Sequence, residues 1–168
     1  ELTIRDTDAT AGIAKAVKGD ELSRAFAALV ERVAGSCAPH HVVAELGVPA
    51  GAGLGSSAAL GVAIAATLAE LNHRRRTPLE LADDALVWER VFHGTPSGID
   101  TTLAATGAVG LFRRGHPFAP VRCSSPVALV VADSGERAST RAMVESVAAL
   151  HARDRSRTEA VFEEIGAL

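Results

Sequence analysis

The chain has 168 residues, of which 48% are hydrophobic, and its formal net charge is −3. This length suits one domain, or one domain and part of a second, and the slightly acidic balance gives no reason to expect nucleic acid as a partner. Two cysteines without a C-x-x-C pair indicate neither a disulfide framework nor a zinc site. No apolar run of membrane-spanning length and no signal-peptide pattern occur, so we expect a cytoplasmic protein without a membrane partner.

The first half of the chain combines short strands with helices. A strand is expected at residues 2–4, and Asp20 is suited to the N-cap of a helix that ends near residue 34. Residues 41–46 alternate as a strand does and lead into a glycine-rich turn. The helix that follows, over residues 56–72, is so rich in alanine, leucine and valine that we expect it to be buried on nearly all sides.

The second half opens with a capping box at Thr77, which predicts a helix that ends near residue 92. The basic run at residues 74–76 is interpreted as a solvated helix end. Further elements are predicted from the same kinds of signal: a loop at 94–100, a short turn or helix at 101–105, strands at 107–112 and 127–133 (the latter buried), and helices that begin near residues 139 and 156. Strands and helices without regular βαβ spacing favour an α+β fold.

The glycine-rich turn is the most informative stretch of the sequence. Gly51, Gly53 and Gly55 alternate with other residues and run directly into two serines and the helix. Glycines remove Cβ atoms from a tight bend, so the N–H groups at the open helix end can converge on a phosphate. The spacing is neither that of a Rossmann fingerprint nor that of a P-loop. The alternative is a turn that binds nothing, with Ser56 and Ser57 only capping the helix.

Phosphoryl transfer requires a phosphate cradle, a divalent metal held by oxygen ligands, and a group that orients the attacking hydroxyl. Ser57 or Ser56 is a candidate to place a hydroxyl on Mg²⁺, with Glu89 as the carboxylate partner, and Asp100 is the candidate base. Each carboxylate also has an alternative without chemistry: Glu89 as a solvated residue at a helix end, and Asp100 as the N-cap of a short helix. His93 has the alternative of a structural histidine.

Both stretches resemble family signatures. The order Pro-x-Gly-x-Gly-Leu-Gly-Ser-Ser-Ala-Ala at residues 49–59 resembles the phosphate-binding loop of the GHMP small-molecule kinases, which include galactose, homoserine, mevalonate and phosphomevalonate kinases. The run Glu-Arg-Val-Phe-His-Gly-Thr-Pro-Ser-Gly-Ile-Asp at residues 89–100 resembles the second signature of the mevalonate kinases. The likeness covers roughly residues 40–145. It implies ATP-dependent phosphorylation of mevalonate to 5-phosphomevalonate by in-line transfer to a primary hydroxyl.

The resemblance implies roles for individual residues, with ATP and Mg²⁺ as cofactors. Ser57 and Glu89 match the family's Mg²⁺ ligands, and Asp100 matches its catalytic carboxylate. The cradle for the phosphates of ATP corresponds to Gly51, Ala52, Gly53, Leu54, Gly55, Ser56 and Ser57.

Four further residues are expected at the site of the small-molecule substrate. His93 and Ser97 match family positions that line the mevalonate site, and Thr140 matches a residue close to the substrate. Arg141 is expected, from its charge alone, to hold the substrate carboxylate. A second copy of the chain, in a homodimer, is retained as a further candidate partner.

The resemblance also implies a two-domain fold. Residues 1–124 correspond to the later part of the ribosomal-protein-like α+β N-terminal domain, and residues 125–168 to the beginning of a ferredoxin-like C-terminal domain. Family segments expected on either side, a lysine-containing strand and a second glycine-rich loop, do not occur, and the chain does not begin with Met. We therefore expect a central fragment. Two alternatives stay open: a GHMP kinase for homoserine, galactose or phosphomevalonate, and a non-catalytic nucleotide-binding fragment.

Overall fold

The computed structural model describes residues 1–4, 9–11, 20–35, 41–132 and 140–167. The chain divides into two compact units, Glu1–Glu136 and Arg137–Leu168. The described elements of the first unit are strands β1 (Leu2–Ile4) and β2 (Ala9–Ala11), helix α1 (Glu21–Val33), strand β3 (Val42–Ala44), helices α2 (Ser56–Leu71), α3 (Pro78–His93) and α4 (Ile99–Thr106), and strands β4 (Gly110–Leu111) and β5 (Ala119–Pro120). The second unit contains helices α5 (Thr140–Arg153) and α6 (Arg155–Gly166).

A small mixed sheet lies beside the helices of the first unit. The strand order is β2-β1-β3, with β1 antiparallel to β2 and parallel to β3. Leu2, Ile4 and Val42 are buried in the same apolar cluster as Phe26 and Leu29 of α1. Strands β4 and β5 form a separate antiparallel pair. The strand predicted at residues 2–4 is confirmed with those bounds, and the strands predicted at 41–46 and 107–112 are confirmed as shorter elements. Strands β2 and β5 were not predicted, because neither contains a large apolar residue.

The predicted helices α1, α2 and α3 are confirmed, and their ends follow the expected caps. The backbone N–H of Ser23 donates to Asp20 Oδ1 at 2.8 Å, which starts α1. Thr77 and Glu80 form the predicted capping box at the start of α3. Hydrogen bonds from the backbone and hydroxyl of Thr77 hold the pKa of Glu80 below its ordinary value of 4.5. Helix α3 therefore begins at a defined residue, which fixes the positions of the side chains near its other end.

Helix α2 packs closely against α3. A Cβ atom added to Gly61 would lie 2.8 Å from Cδ1 of the fully buried Trp88, so glycine is needed at this crossing. The expectation that α2 is buried on nearly all sides is wrong for one stripe, since Ala63, Thr67 and Leu71 are exposed. The buried side of α2 is nevertheless wide enough to fix the helix between α1, α3 and α4.

The basic run before α3 is solvated in part, as predicted, since Arg74 and Arg75 are exposed, but it also anchors the helices, which was not predicted. Arg74 Nη1 donates to the carbonyl of Val33, the last residue of α1, at 2.7 Å. Arg76 Nε donates to the buried carboxylate of Asp84 at 2.9 Å, and Arg32 of α1 donates to the other oxygen of that carboxylate at 2.8 Å. Two of the three arginines therefore hold α1 and α3 together.

The apolar run at residues 127–133 was predicted to be a buried strand, and this is wrong for its described part, residues 127–132. These residues have no strand structure, and Leu129 and Val130 are 83% and 98% exposed. A strand requires a neighbour for its backbone hydrogen bonds. Within the described residues, neither sheet of the first unit supplies one for this run.

The second unit consists, in its described part, of the two predicted helices. Helix α6 begins one residue earlier than expected, because Asp154 Oδ1 accepts a hydrogen bond from the backbone N–H of Arg157 at 3.1 Å. The cap predicted at Ser139 lies outside the described residues. None of the described helices combines the length and the apolar character that crossing a membrane demands.

Candidate active site

The glycine-rich turn gives α2 an open N-terminus. Gly51, Gly53 and Gly55 have φ angles of 75°, 73° and 71°, which residues with a Cβ rarely adopt. Apart from the adjoining backbone, no described atom lies within 4 Å of a Cβ added at Gly53 or Gly55. Gly55 is the N-cap residue, and no side chain there accepts a hydrogen bond from the first turn. The alternative in which Ser56 or Ser57 caps the helix is therefore wrong: both residues lie inside its first turn.

Ser57 instead reaches across to α3. Its hydroxyl donates to Glu89 Oε1 at 2.6 Å, a short hydrogen bond of the kind expected with a charged acceptor. The other oxygen of Glu89 lies 3.4 Å from His93 Nε2, one turn further along α3. Glu89 is only 3% exposed, so its interpretation as a solvated residue at a helix end is wrong. A carboxylate buried this deeply needs polar partners, and Ser57 and His93 supply them.

Asp100 lies in the first turn of α4, where a carboxylate is stabilised by the helix dipole. The N-cap of this helix is Gly98, with φ of 90°, so the alternative of Asp100 as the N-cap is wrong. Its side chain is exposed, and no hydrogen bond or ion pair joins it to another residue in the described ranges. Thr101 and Thr102 are buried and hold α4 against its neighbours. Asp100 thus presents an acceptor to solvent from a fixed helix end.

A loop at residues 94–98 connects α3 to α4. Ser97 Oγ accepts a weak hydrogen bond from the N–H of Ile99 at 3.3 Å, and Ser97 itself is exposed. Arg114, from the β4–β5 hairpin, donates to the carbonyl of Pro96 at 2.7 Å. Sequence reasoning missed Arg114, because it lies in a polar link without a motif.

The structure brings some of the predicted site residues together. Ser57 is hydrogen-bonded to Glu89 between α2 and α3, and His93 Nε2 lies 3.4 Å from the other oxygen of the same carboxylate. Asp100 and Ser97 lie at and just before the start of α4, which packs on both helices. Two predicted residues belong to the other unit: the backbones of Thr140 and Arg141 begin α5, but their side chains lie outside the described part of the structure. Across the described ranges, no group of three or more His, Cys, Asp or Glu side chains is placed to hold a metal.

Comparison with known proteins identifies the class to which this fold and loop belong. The family profile described as "GHMP kinases N terminal domain" matches residues 20–108, which is more than half of the chain. The chain therefore belongs to the GHMP kinase family.

The individual relatives include mevalonate kinases and a galactokinase. The chain is 40% identical over 113 residues to a mevalonate kinase of Aeropyrum pernix, an alignment that covers 67% of this chain and 35% of the relative. It is 31% identical over 142 residues to a mevalonate kinase of Arabidopsis thaliana, covering 77% of this chain and 37% of the relative. A galactokinase of Chloroflexus aurantiacus is 41% identical over 95 residues, an alignment that covers 54% of this chain and 24% of the relative.

The chain spans about a third of the length of these mevalonate kinases. In the comparison with solved structures, no match was found.

Proposed function

We propose that this chain forms part of a GHMP kinase that transfers the γ-phosphoryl group of ATP to the primary hydroxyl of mevalonate, giving 5-phosphomevalonate. One observation carries the proposal: the hydroxyl of Ser57 and the buried carboxylate of Glu89 are joined at 2.6 Å beside an uncapped helix end. An anion-binding helix end and an adjacent pair of oxygen ligands are two of the parts that phosphoryl transfer requires.

The open N-terminus of α2 supports phosphate binding. Its first-turn N–H groups have no side-chain partner, and the helix dipole adds positive potential at the same place. Apart from the adjoining backbone, the space beside Gly53 and Gly55 is free of described atoms, so a phosphate can approach the backbone closely. The proposed cradle is the full loop: Gly51, Ala52, Gly53, Leu54, Gly55, Ser56 and Ser57.

The Ser57–Glu89 pair fits Mg²⁺ in its chemistry. Both side chains offer oxygen, the ligand that this ion prefers, and two protein ligands are enough because Mg²⁺ keeps several waters or phosphate oxygens. Bound there, Mg²⁺ would neutralise charge on the phosphoryl group during transfer. The residues themselves supply orientation: Ser57 donates to Glu89 Oε1, which leaves the lone pairs of the hydroxyl oxygen available, and His93 lies beside the second carboxylate oxygen.

Asp100 is proposed as the catalytic carboxylate. Its side chain is exposed and has no described partner, so it is available to accept a hydrogen bond from the attacking hydroxyl and to take its proton late in the reaction. His93 and Ser97 are proposed at the acceptor site, together with Thr140 and with Arg141, which would pair with a substrate carboxylate.

Mevalonate is the preferred acceptor because two relatives that align with 67% and 77% of this chain are mevalonate kinases. A second candidate acceptor, a sugar such as galactose, is supported by the galactokinase relative. We also propose that residues 1–124 belong to the N-terminal domain and residues 125–168 to a ferredoxin-like C-terminal domain. The protein is further proposed to be cytoplasmic and to form a homodimer.

The test is Mg²⁺- and ATP-dependent phosphate transfer with mevalonate, homoserine and galactose offered in parallel. Transfer to mevalonate alone supports the proposal, transfer to galactose alone supports the second candidate, and nucleotide binding without transfer supports a non-catalytic fragment. Asp100→Asn should lower kcat at least about a hundredfold while nucleotide binding is retained. Asp83→Asn, which removes an exposed carboxylate from α3, is the control. Near-normal turnover of Asp100→Asn would remove Asp100 from the catalytic role.

A further inference from the structure

The β4–β5 hairpin reaches back to the loop that precedes Asp100. Arg114 Nη2 donates to the carbonyl oxygen of Pro96 at 2.7 Å, and the carbonyl oxygen of Thr95 lies 3.5 Å from the same nitrogen. Phe112 of the same hairpin lies against the loop, since a Cβ added to Gly98 would be 3.7 Å from its ring. The hairpin therefore contacts the loop both through a guanidinium and through an aromatic side chain.

The loop needs such an anchor because its own bonds are local. Gly94 and Gly98, at its two ends, have φ angles of 68° and 90°, and glycine has more backbone freedom to lose than any other residue. The Thr95 N–H bonds the carbonyl of His93, and Ser97 bonds the N–H of Ile99, two residues away in each case. In the described part of the chain, the hydrogen bonds that tie residues 95–97 to a segment distant in sequence come from Arg114.

Arginine suits this contact better than lysine. Both contacts are made by Nη2, and the planar guanidinium that carries this nitrogen is pre-organised, so little conformational freedom is lost in making them. A lysine ammonium also has enough N–H donors on its one nitrogen, but it must order a flexible four-carbon chain to place them. Arg113 and Arg114 carry the same charge and are both exposed, but the side chain of Arg113 has no partner among the described residues.

We infer that Arg114 is a positioning residue for the acceptor side of the site. By holding the Pro96 carbonyl, it fixes Ser97 and the first turn of α4, and with them the direction in which Asp100 faces the acceptor hydroxyl. Arg114 does not touch the acceptor. The inference rests on the proposed function for its effect on kinetics, but the anchoring itself is independent of that function.

The experiment compares three variants: Arg114→Ala, Arg114→Lys and the matched control Arg113→Ala. Hydrogen exchange at the amides of Ile99 and Thr102 reports the loop and the start of α4 without any need for activity. We expect exchange there to be about tenfold faster in Arg114→Ala, because a tenfold change corresponds to the free energy that is lost with one hydrogen bond. The exchange rates of Arg114→Lys should lie between those of Arg114→Ala and the wild type, and those of Arg113→Ala should match the wild type.

Steady-state kinetics then separate positioning from a general structural effect. In Arg114→Ala, kcat should fall because Asp100 is less well directed, and the KM for the acceptor alcohol should rise about five- to tenfold, while the KM for ATP stays within about twofold. Equal changes in both KM values, or the same change in Arg113→Ala, would overturn the inference. If the wild-type protein transfers no phosphate to any alcohol, the proposed function fails. In that event, faster exchange in Arg114→Ala still supports the anchor, whereas unchanged exchange overturns it.

Discussion

Glu89 is a buried carboxylate that faces two side chains with different chemistry. Ser57 donates a hydrogen bond to one oxygen, and the imidazole of His93 lies near the other. Because both contacts are made within or between packed helices, the carboxylate has little freedom to rotate. Ser57 therefore has two roles in the proposed site: it is a candidate metal ligand, and it sets the orientation of the second candidate ligand.

This double role leads to a prediction for Ser57→Ala. Removing the hydroxyl should raise the half-saturating Mg²⁺ concentration about tenfold or more, because it deletes one ligand and loosens the other. The measurement is the Mg²⁺ dependence of phosphate transfer or of nucleotide binding. Ser56→Ala is the matched control, since Ser56 lies in the same helical turn and has no described bond to Glu89. A similar shift in both variants would show that the loop, and not the Ser57–Glu89 contact, determines metal affinity.

At this scale the sequence predicted that two candidate ligands lie together, but it did not predict their surroundings. Ser57 and Glu89 were paired through their motif positions, 32 residues apart. The burial of Glu89 was not predictable, because it depends on how α2 and α3 pack. Arg114 was missed for a similar reason: its partner is a backbone carbonyl, which no residue pattern reveals.

The helices that carry the site are joined by a charged cluster on the side of α1. Asp84 of α3 is buried and accepts hydrogen bonds from Arg32 and from Arg76, while the adjacent Asp83 is exposed and, among the described residues, pairs with Arg32 only. Breaking a buried ion pair leaves charges without partners, whereas exposed pairs contribute little. The two neighbouring aspartates are therefore expected to contribute differently to the stability of the fold, although they share one arginine.

Asp84→Asn should lower the free energy of unfolding by about 2 kcal/mol, less than for a fully buried pair because both arginines are partly solvated. Asp83→Asn, the matched control, should lower it by about 0.5 kcal/mol or less. Chemical denaturation followed by circular dichroism measures both values. If the two losses were equal, the burial of Asp84 would contribute nothing beyond the ion pair itself.

At the scale of elements, the helices were predicted well because their signals are local. Asp20, Thr77 and Glu80 form the caps that the sequence indicates. The roles of Arg74 and Arg76 were not predictable, because their acceptors lie on α1 and α3 and depend on packing. Strands β2 and β5 were not predicted for the same reason: they form by pairing with neighbouring strands and have no sequence pattern of their own.

At the scale of the whole molecule, residues 127–131 stand out as an exposed apolar run in the first unit. Each large side chain in it is at least two-thirds exposed: Val127, Leu129, Val130 and Val131. The composition is that of a buried strand, which explains the prediction, but composition alone does not supply the neighbouring strand that burial requires. Single exposed apolar residues are ordinary, whereas a contiguous apolar run that is rich in valine and has no charge favours self-association.

Replacing both Leu129 and Val130 with lysine should therefore reduce concentration-dependent association, measured by light scattering, and binding of a hydrophobic dye. The Tm should change by no more than about 2 °C, because these side chains have few contacts to lose. Leu71→Lys with Leu79→Lys is the matched control: it adds the same two charges at exposed apolar positions outside the run. A similar decrease in association in the control would assign the effect to net charge. A marked fall in Tm for the first pair alone would show that the run packs against the protein, because lysine ammonium groups cannot be buried there without loss of stability.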